Sequence, residues 1–113
     1  MTDEIVLFDG QLGSQSVHVW LEARGAGIAL NSQDIGPAVE SAFGSDEVET
    51  FLEIDAADIP ALTALLAAEH PIANTPGDPL ELLEARYRGD SMATTHLREL
   101  LTAHGIPYRF SVI

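Results

Sequence analysis

The chain has 113 residues, 46% of them apolar, no cysteine and a formal charge of −13 at pH 7. That size and apolar content suit one compact α+β domain with a real core rather than a disordered acidic tail. Without thiols there is no disulfide framework and no cysteine-ligated zinc, and so acidic a field repels nucleic acid phosphates and anionic membrane surfaces.

The opening MTDEIVLFDG places two acids before a short apolar run, which is the pattern of neither a secretory signal nor an anchor, so a cytoplasmic location is expected. The apolar residues Ile5, Val6, Leu7 and Phe8, closed by Gly10, predict a first strand over 4–9. After a turn at 13–16, Val17, Val19, Leu21 and Ala23 alternate with Ser16, His18, Trp20 and Glu22, the period of a strand with one face in the core. Gly25 and Gly27 frame a tight turn into 28–31 and so predict a hairpin. Pro37 to Gly44 has the punctuation of a short helix.

From Val48 to Asp55 the alternation returns, with Val48, Thr50, Leu52 and Ile54 on one side and Glu49, Phe51, Glu53 and Asp55 on the other. Asp58 is placed to cap a helix carrying Pro60 in its first turn and Ile59, Leu62, Leu65 and Leu66 as its buried stripe. A loop over 70–78 leads to Asp78-Pro79-Leu80-Glu81, a capped start with Leu80, Leu83 and Tyr87 on one face. Ser91 is placed to cap a last helix with Ala93, Leu97, Leu100 and Leu101 inward, stopped by Gly105 and Pro107. Residues 108–113 close the chain as a strand. Early strands and late helices predict a mostly antiparallel sheet of about five strands packed on three to four helices.

If the helices cover one face of that sheet, the other gathers His18, Trp20 and Glu22 from one strand and Glu49, Phe51 and Glu53 from another. Aromatic anchors in a charged rim are what protein interfaces use, whereas the opposite parity would make Trp20 and Phe51 core residues. Charge adds to this. From residue 25 to 85 there are twelve carboxylates and no lysine or arginine, and residues 86–113 hold Arg86, Arg88, Arg98 and Arg109 against two acids. A one-sided field steers a cationic partner, although plain solubility accounts for the same acidity. Carboxylates two apart on a strand stand roughly 6.5 to 7 Å apart, near the spacing of successive phosphates, so mimicry of a nucleic acid backbone is a second reading.

Catalytic and metal chemistry find little support. His18, His70, His96 and His104 fall in no metal-ligating spacing, and 10–13 and 46–49 lack the features of phosphate and calcium loops. His18 beside Glu22 is the one candidate general base, and no nucleophile or oxyanion donor accompanies it.

The stretch LNSQDIGPAVESAFGSDEVETFLEIDAADIPALTALL, the DPLELL helix and the closing HGIPYRFSVI resemble in layout small acidic bacterial proteins encoded near toxin systems, over residues 28–113. The resemblance implies an immunity-type protein that covers one cognate toxin domain, and it transfers no individual site residue. From charge and aromatics, the expected partner-binding set is Trp20, Glu22, Asp34, Asp46, Glu47, Glu49, Phe51, Glu53, Asp55 and Asp58. The expected molecule is a non-enzymatic binder of a basic protein with no cofactor. Alternatives are a phosphate-mimicking inhibitor of a DNA-binding protein, a small homodimeric regulator and a small enzyme.

Overall fold

The computed structural model describes residues 4–37, 47–69 and 78–113. Five strands, β1 (Ile5–Leu12), β2 (Gln15–Arg24), β3 (Gly27–Ile35), β4 (Glu47–Ile54) and β5 (Arg109–Val112), form one sheet in the order β1-β2-β3-β4-β5. Every neighbouring pair is antiparallel. Three α-helices, α1 (Ile59–Glu69), α2 (Pro79–Tyr87) and α3 (Ala93–Ala103), lie between β4 and β5 among the described residues, so the α+β expectation holds with three helices. The helix expected from Pro37 to Gly44 falls, beyond Pro37, outside the described residues.

β1 runs three residues beyond the expected end at Asp9, through Gly10 to Leu12. A bulge at Leu7, between the pairs Val6↔Trp20 and Phe8↔Val19, explains the unbroken Ile5–Phe8 run. The extra residue lets Ile5, Leu7 and Phe8 all meet the core while Val6 and Asp9 turn to the other face. The Leu7 carbonyl also accepts from Gly89 N at 2.7 Å, which ties the α2–α3 turn to the first strand. The β2–β3 hairpin closes with only Gly25 and Ala26 between its strands, and Gly25 takes φ +60°, a left-handed angle that glycine adopts without a Cβ clash.

The alternation in β2 and β4 is reproduced except at Ala23, which is exposed, and Thr50, which is only partly buried. Val17, Val19 and Leu21, with Val48, Leu52 and Ile54, are buried, and all but Val48 join one cluster with Leu62, Leu66, Leu82, Leu83, Leu97 and Leu101 of the helices. These helices therefore cover one face of the sheet.

The helix starts follow the sequence at α2 and depart from it at α3. Asp78 accepts from Leu80 N at 3.0 Å with Pro79 at the first helical position, as its residues predict. α1 begins after a 3-10 turn (Ala56–Asp58) and carries Pro60 in its first turn. Ser91, in contrast, does not cap α3. Asp90 accepts from Met92 N at 2.8 Å and from His96 Nδ1 at 2.6 Å, so the acid one residue earlier holds the turn.

Candidate functional site

The sheet face away from α1–α3 is organised by register. Trp20 pairs with Asn31, and Asn31 with Phe51, so these three side chains form a row across β2, β3 and β4, extended on β1 by Val6. Trp20 and Phe51 are half-buried and Val6 is 49% exposed. Asn31 at the centre is 1% exposed, the one buried polar side chain among the described residues. Its Nδ2 donates to Glu22 at 2.8 Å, while its Oδ1 is sealed and accepts nothing. His18 leans on Trp20 with ring centroids 4.7 Å apart. The two aromatic rings are thus neither interior residues nor fully open, but walls of a shallow strip with a polar floor.

The two ends of the strip differ electrostatically. At one end Glu22, Glu53 and Asp55 are paired within the chain by two arginines. Arg24 donates to Glu22 and lies 3.7 Å from Glu53, while Arg109 donates to Asp55 at 2.7 Å and also lies 3.7 Å from Glu53. Arg24 further stands 5.9 Å from the Phe51 ring centre. Arg24, Glu53, Asp55 and Arg109 line a cleft of about 200 Å³ in which acid and arginine side chains stand together. At the other end the row of His18, Gln33 and Glu49 carries Asp9 as the partner of His18 at 3.5 Å, and Gln33 donates to Glu47. Glu49 forms no ion pair among the described residues.

The ten expected partner-binding residues accordingly separate. Trp20, Glu22, Glu47, Glu49, Phe51 and Glu53 share the face away from the helices, with Asp55 at its edge. Asp34 pairs with Val17 and Val48 and so points to the helix side, where burial raises its carboxyl above the usual range. Asp58 sits in the 3-10 turn that leads into α1, away from the strip. Asp46 lies outside the described residues. Sequence reasoning missed Asn31, Arg24 and Arg109. Asn31 ends the apolar run 28–30 of β3, but its place opposite Trp20, like the reach of Arg109 to Asp55, arises only through the fold.

The enzymatic alternative gains nothing from the geometry. Ser16, the hydroxyl on the same face of β2 as His18, accepts from Gln11 at 2.6 Å, and no hydrogen bond joins it to His18. Among the described residues no group of three His, Asp or Glu side chains is arranged to hold a metal ion, and no helix is long and apolar enough to cross a membrane. No protein-family model, no curated protein and no solved structure matches the chain.

Proposed function

We propose that this chain is a non-enzymatic binding protein whose uncovered sheet face receives a basic protein, and that the partner is a bacterial toxin domain neutralised by having its functional groove covered. The observation that supports this reading is the row of Trp20, Asn31 and Phe51 outside the helix-packed core, with Glu49 and Asp9 at one end. Trp20 and Phe51 supply rigid area, and Glu49 attracts a lysine or arginine of the partner to its end of the strip.

Phosphate mimicry is the weaker reading on one specific ground. It needs a run of unpaired acids, whereas Glu53 and Asp55 are already engaged by Arg109, which leaves Glu49 alone in that row.

Binding to a basic domain encoded beside this gene, measured by titration calorimetry and amide hydrogen exchange, tests the proposal. Protection should appear along β2, β3 and β4 at the Trp20–Phe51 row, and Trp20→Ala should weaken binding by about 30-fold or more, the loss typical of an aromatic anchor. Protection confined to α1–α3, with Trp20→Ala binding normally, would remove this face from consideration.

A further inference from the structure

A second surface lies where β5 forms an edge of the sheet. Ile113 and Glu49 exchange both of their backbone hydrogen bonds, at 2.9 and 3.1 Å. In an antiparallel ladder such pairs alternate with pairs whose amide groups point outward. The pairs Leu52↔Phe110 and Thr50↔Val112 are therefore the outward ones, and on β5 the N–H and C=O of Phe110 and Val112 face away from β4. Among the described residues none of these four groups has a backbone partner. Val112 is 48% exposed and no charge sits on these two residues, so the edge lacks the lysines that commonly guard one.

Beside this edge stands an unusual cation. Arg24, Arg88 and Arg109 each hold a carboxylate within the chain, whereas Arg98 of α3 holds none among the described residues, in a molecule of charge −13. Its guanidinium lies 3.8 Å from the Phe110 ring centre and 6.0 Å from that of Tyr108, and its Nε is sealed without a hydrogen-bond partner. Hydrogen bonds from Thr102 and Arg98 lower the Tyr108 phenol below its ordinary pKa. With Ala93, Leu97 and Leu101 turned to the core, the 100° step per residue places Thr95, Arg98 and Thr102 in one stripe along the flank of α3. That stripe and Tyr108 line a groove of about 480 Å³.

From these two observations we propose that the free edge of β5, with the neighbouring groove along α3 and Tyr108, binds an extended peptide segment of a partner protein, which adds as a sixth strand and places one acidic side chain on Arg98. The backbone of Phe110 and Val112 supplies strand pairing, and the planar guanidinium, already held against Phe110, supplies a fixed donor pair for a carboxylate. Glu99 also lines the groove, so the segment carries a single acid over Arg98 and not a polyacidic run. A second copy of this chain is the less suitable occupant, because two molecules of charge −13 repel. This site is separate from the Trp20–Phe51 face and takes a ligand of opposite charge.

The probe is an acetylated, amidated hexapeptide alternating valine and threonine with one central glutamate, and its twin with lysine in place of glutamate, titrated into the full ¹⁵N-labelled chain. The glutamate peptide should shift the amides of Phe110 and Val112 and slow their exchange, and the lysine peptide should bind at least about tenfold more weakly. Arg98→Gln should erase that preference. Val112→Pro removes an outward N–H while the bonds of Ile113 to β4 remain, so it should abolish binding with the sheet spectrum otherwise retained. No shift at β5, equal binding of both peptides, persistence in Val112→Pro, or edge amides already protected by self-association in the free protein would each overturn the proposal.

Discussion

Arg109 donates to Asp55 across a separation of 54 residues, at 2.7 Å, and in doing so changes what the acidity of the sheet face means. No lysine or arginine lies between residues 25 and 85, yet the last strand brings one to the acids of β4 by pairing Arg109 opposite Glu53. Both members of the Arg109–Asp55 pair are well exposed, so its contribution to stability lies within about 1 kcal/mol. Arg109→Ala should therefore leave thermal unfolding nearly unchanged while freeing Asp55 and leaving Glu53 to Arg24 alone. If the face receives a basic partner, association should be faster for this variant, most clearly at low salt, in stopped-flow mixing.

Adjacent residues of β2 should respond in opposite ways. Leu21 is fully buried among sheet and helix side chains, and Leu21→Ala should cost about 2–5 kcal/mol in denaturant unfolding. Trp20, one residue before it, stands half-buried on the other face, and Trp20→Ala should cost clearly less while removing an anchor from the binding strip. Equal losses for the two would mean that the face of Trp20 is part of the core.

The strand parity that separates these two residues was legible in sequence because a period of two leaves little freedom where one face is apolar. Val17, Val19 and Leu21 against His18, Trp20 and Glu22, and Val48, Leu52 and Ile54 against Glu49, Phe51 and Glu53, took the sides that alternation predicts. Helix starts marked by local chemistry were equally readable, as at Asp78-Pro79. What local pattern did not contain was pairing between distant strands. The row Trp20–Asn31–Phe51 depends on the register of two hairpins, and Arg24 and Arg109 reach Glu53 from strands on either side of the charged segment. Asp34 was assigned to the binding face from charge alone, although its register with Val17 and Val48 sets it beneath the sheet.

Asp34 gives a pH signature with a definite sign. Burial raises its folded-state pKa above 3.8, so the folded state holds this proton more tightly than the unfolded chain. Its charged form thus costs stability at neutral pH, and that cost is relieved as pH falls through the raised folded pKa toward 3.8. Asp34→Asn should accordingly unfold at a higher temperature than the parent at pH 7, with the gap narrowing as pH falls through this window. A gap constant from pH 7 to pH 4 in calorimetric scans would show that the carboxyl is not destabilised by its surroundings.

Two glycines only two residues apart in the β2–β3 hairpin should differ sharply in what they tolerate. At Gly25 a Cβ meets nothing within 4 Å, so Gly25→Ala carries only the backbone cost of a left-handed angle, about 1 kcal/mol. At Gly27 a Cβ would stand 2.3 Å from the Ile54 carbonyl oxygen, with Asp55 Cα behind it. That oxygen belongs to the backbone of β4 where Ile28 pairs with Ile54, so it cannot swing aside as a side chain would. Relief requires β3 and β4 to part at the end that holds Ile28 and Ile54 in the core and Arg24, Glu53 and Asp55 around the cleft. Gly27→Ala should therefore lose about 3 kcal/mol or more in urea unfolding, the upper range of overpacking. It should also disturb the amide signals of Ile54 and Asp55, whereas Gly25→Ala leaves them in place. If both variants unfold alike with those signals unmoved, the close approach of the two strands at Gly27 is not a feature of the protein in solution.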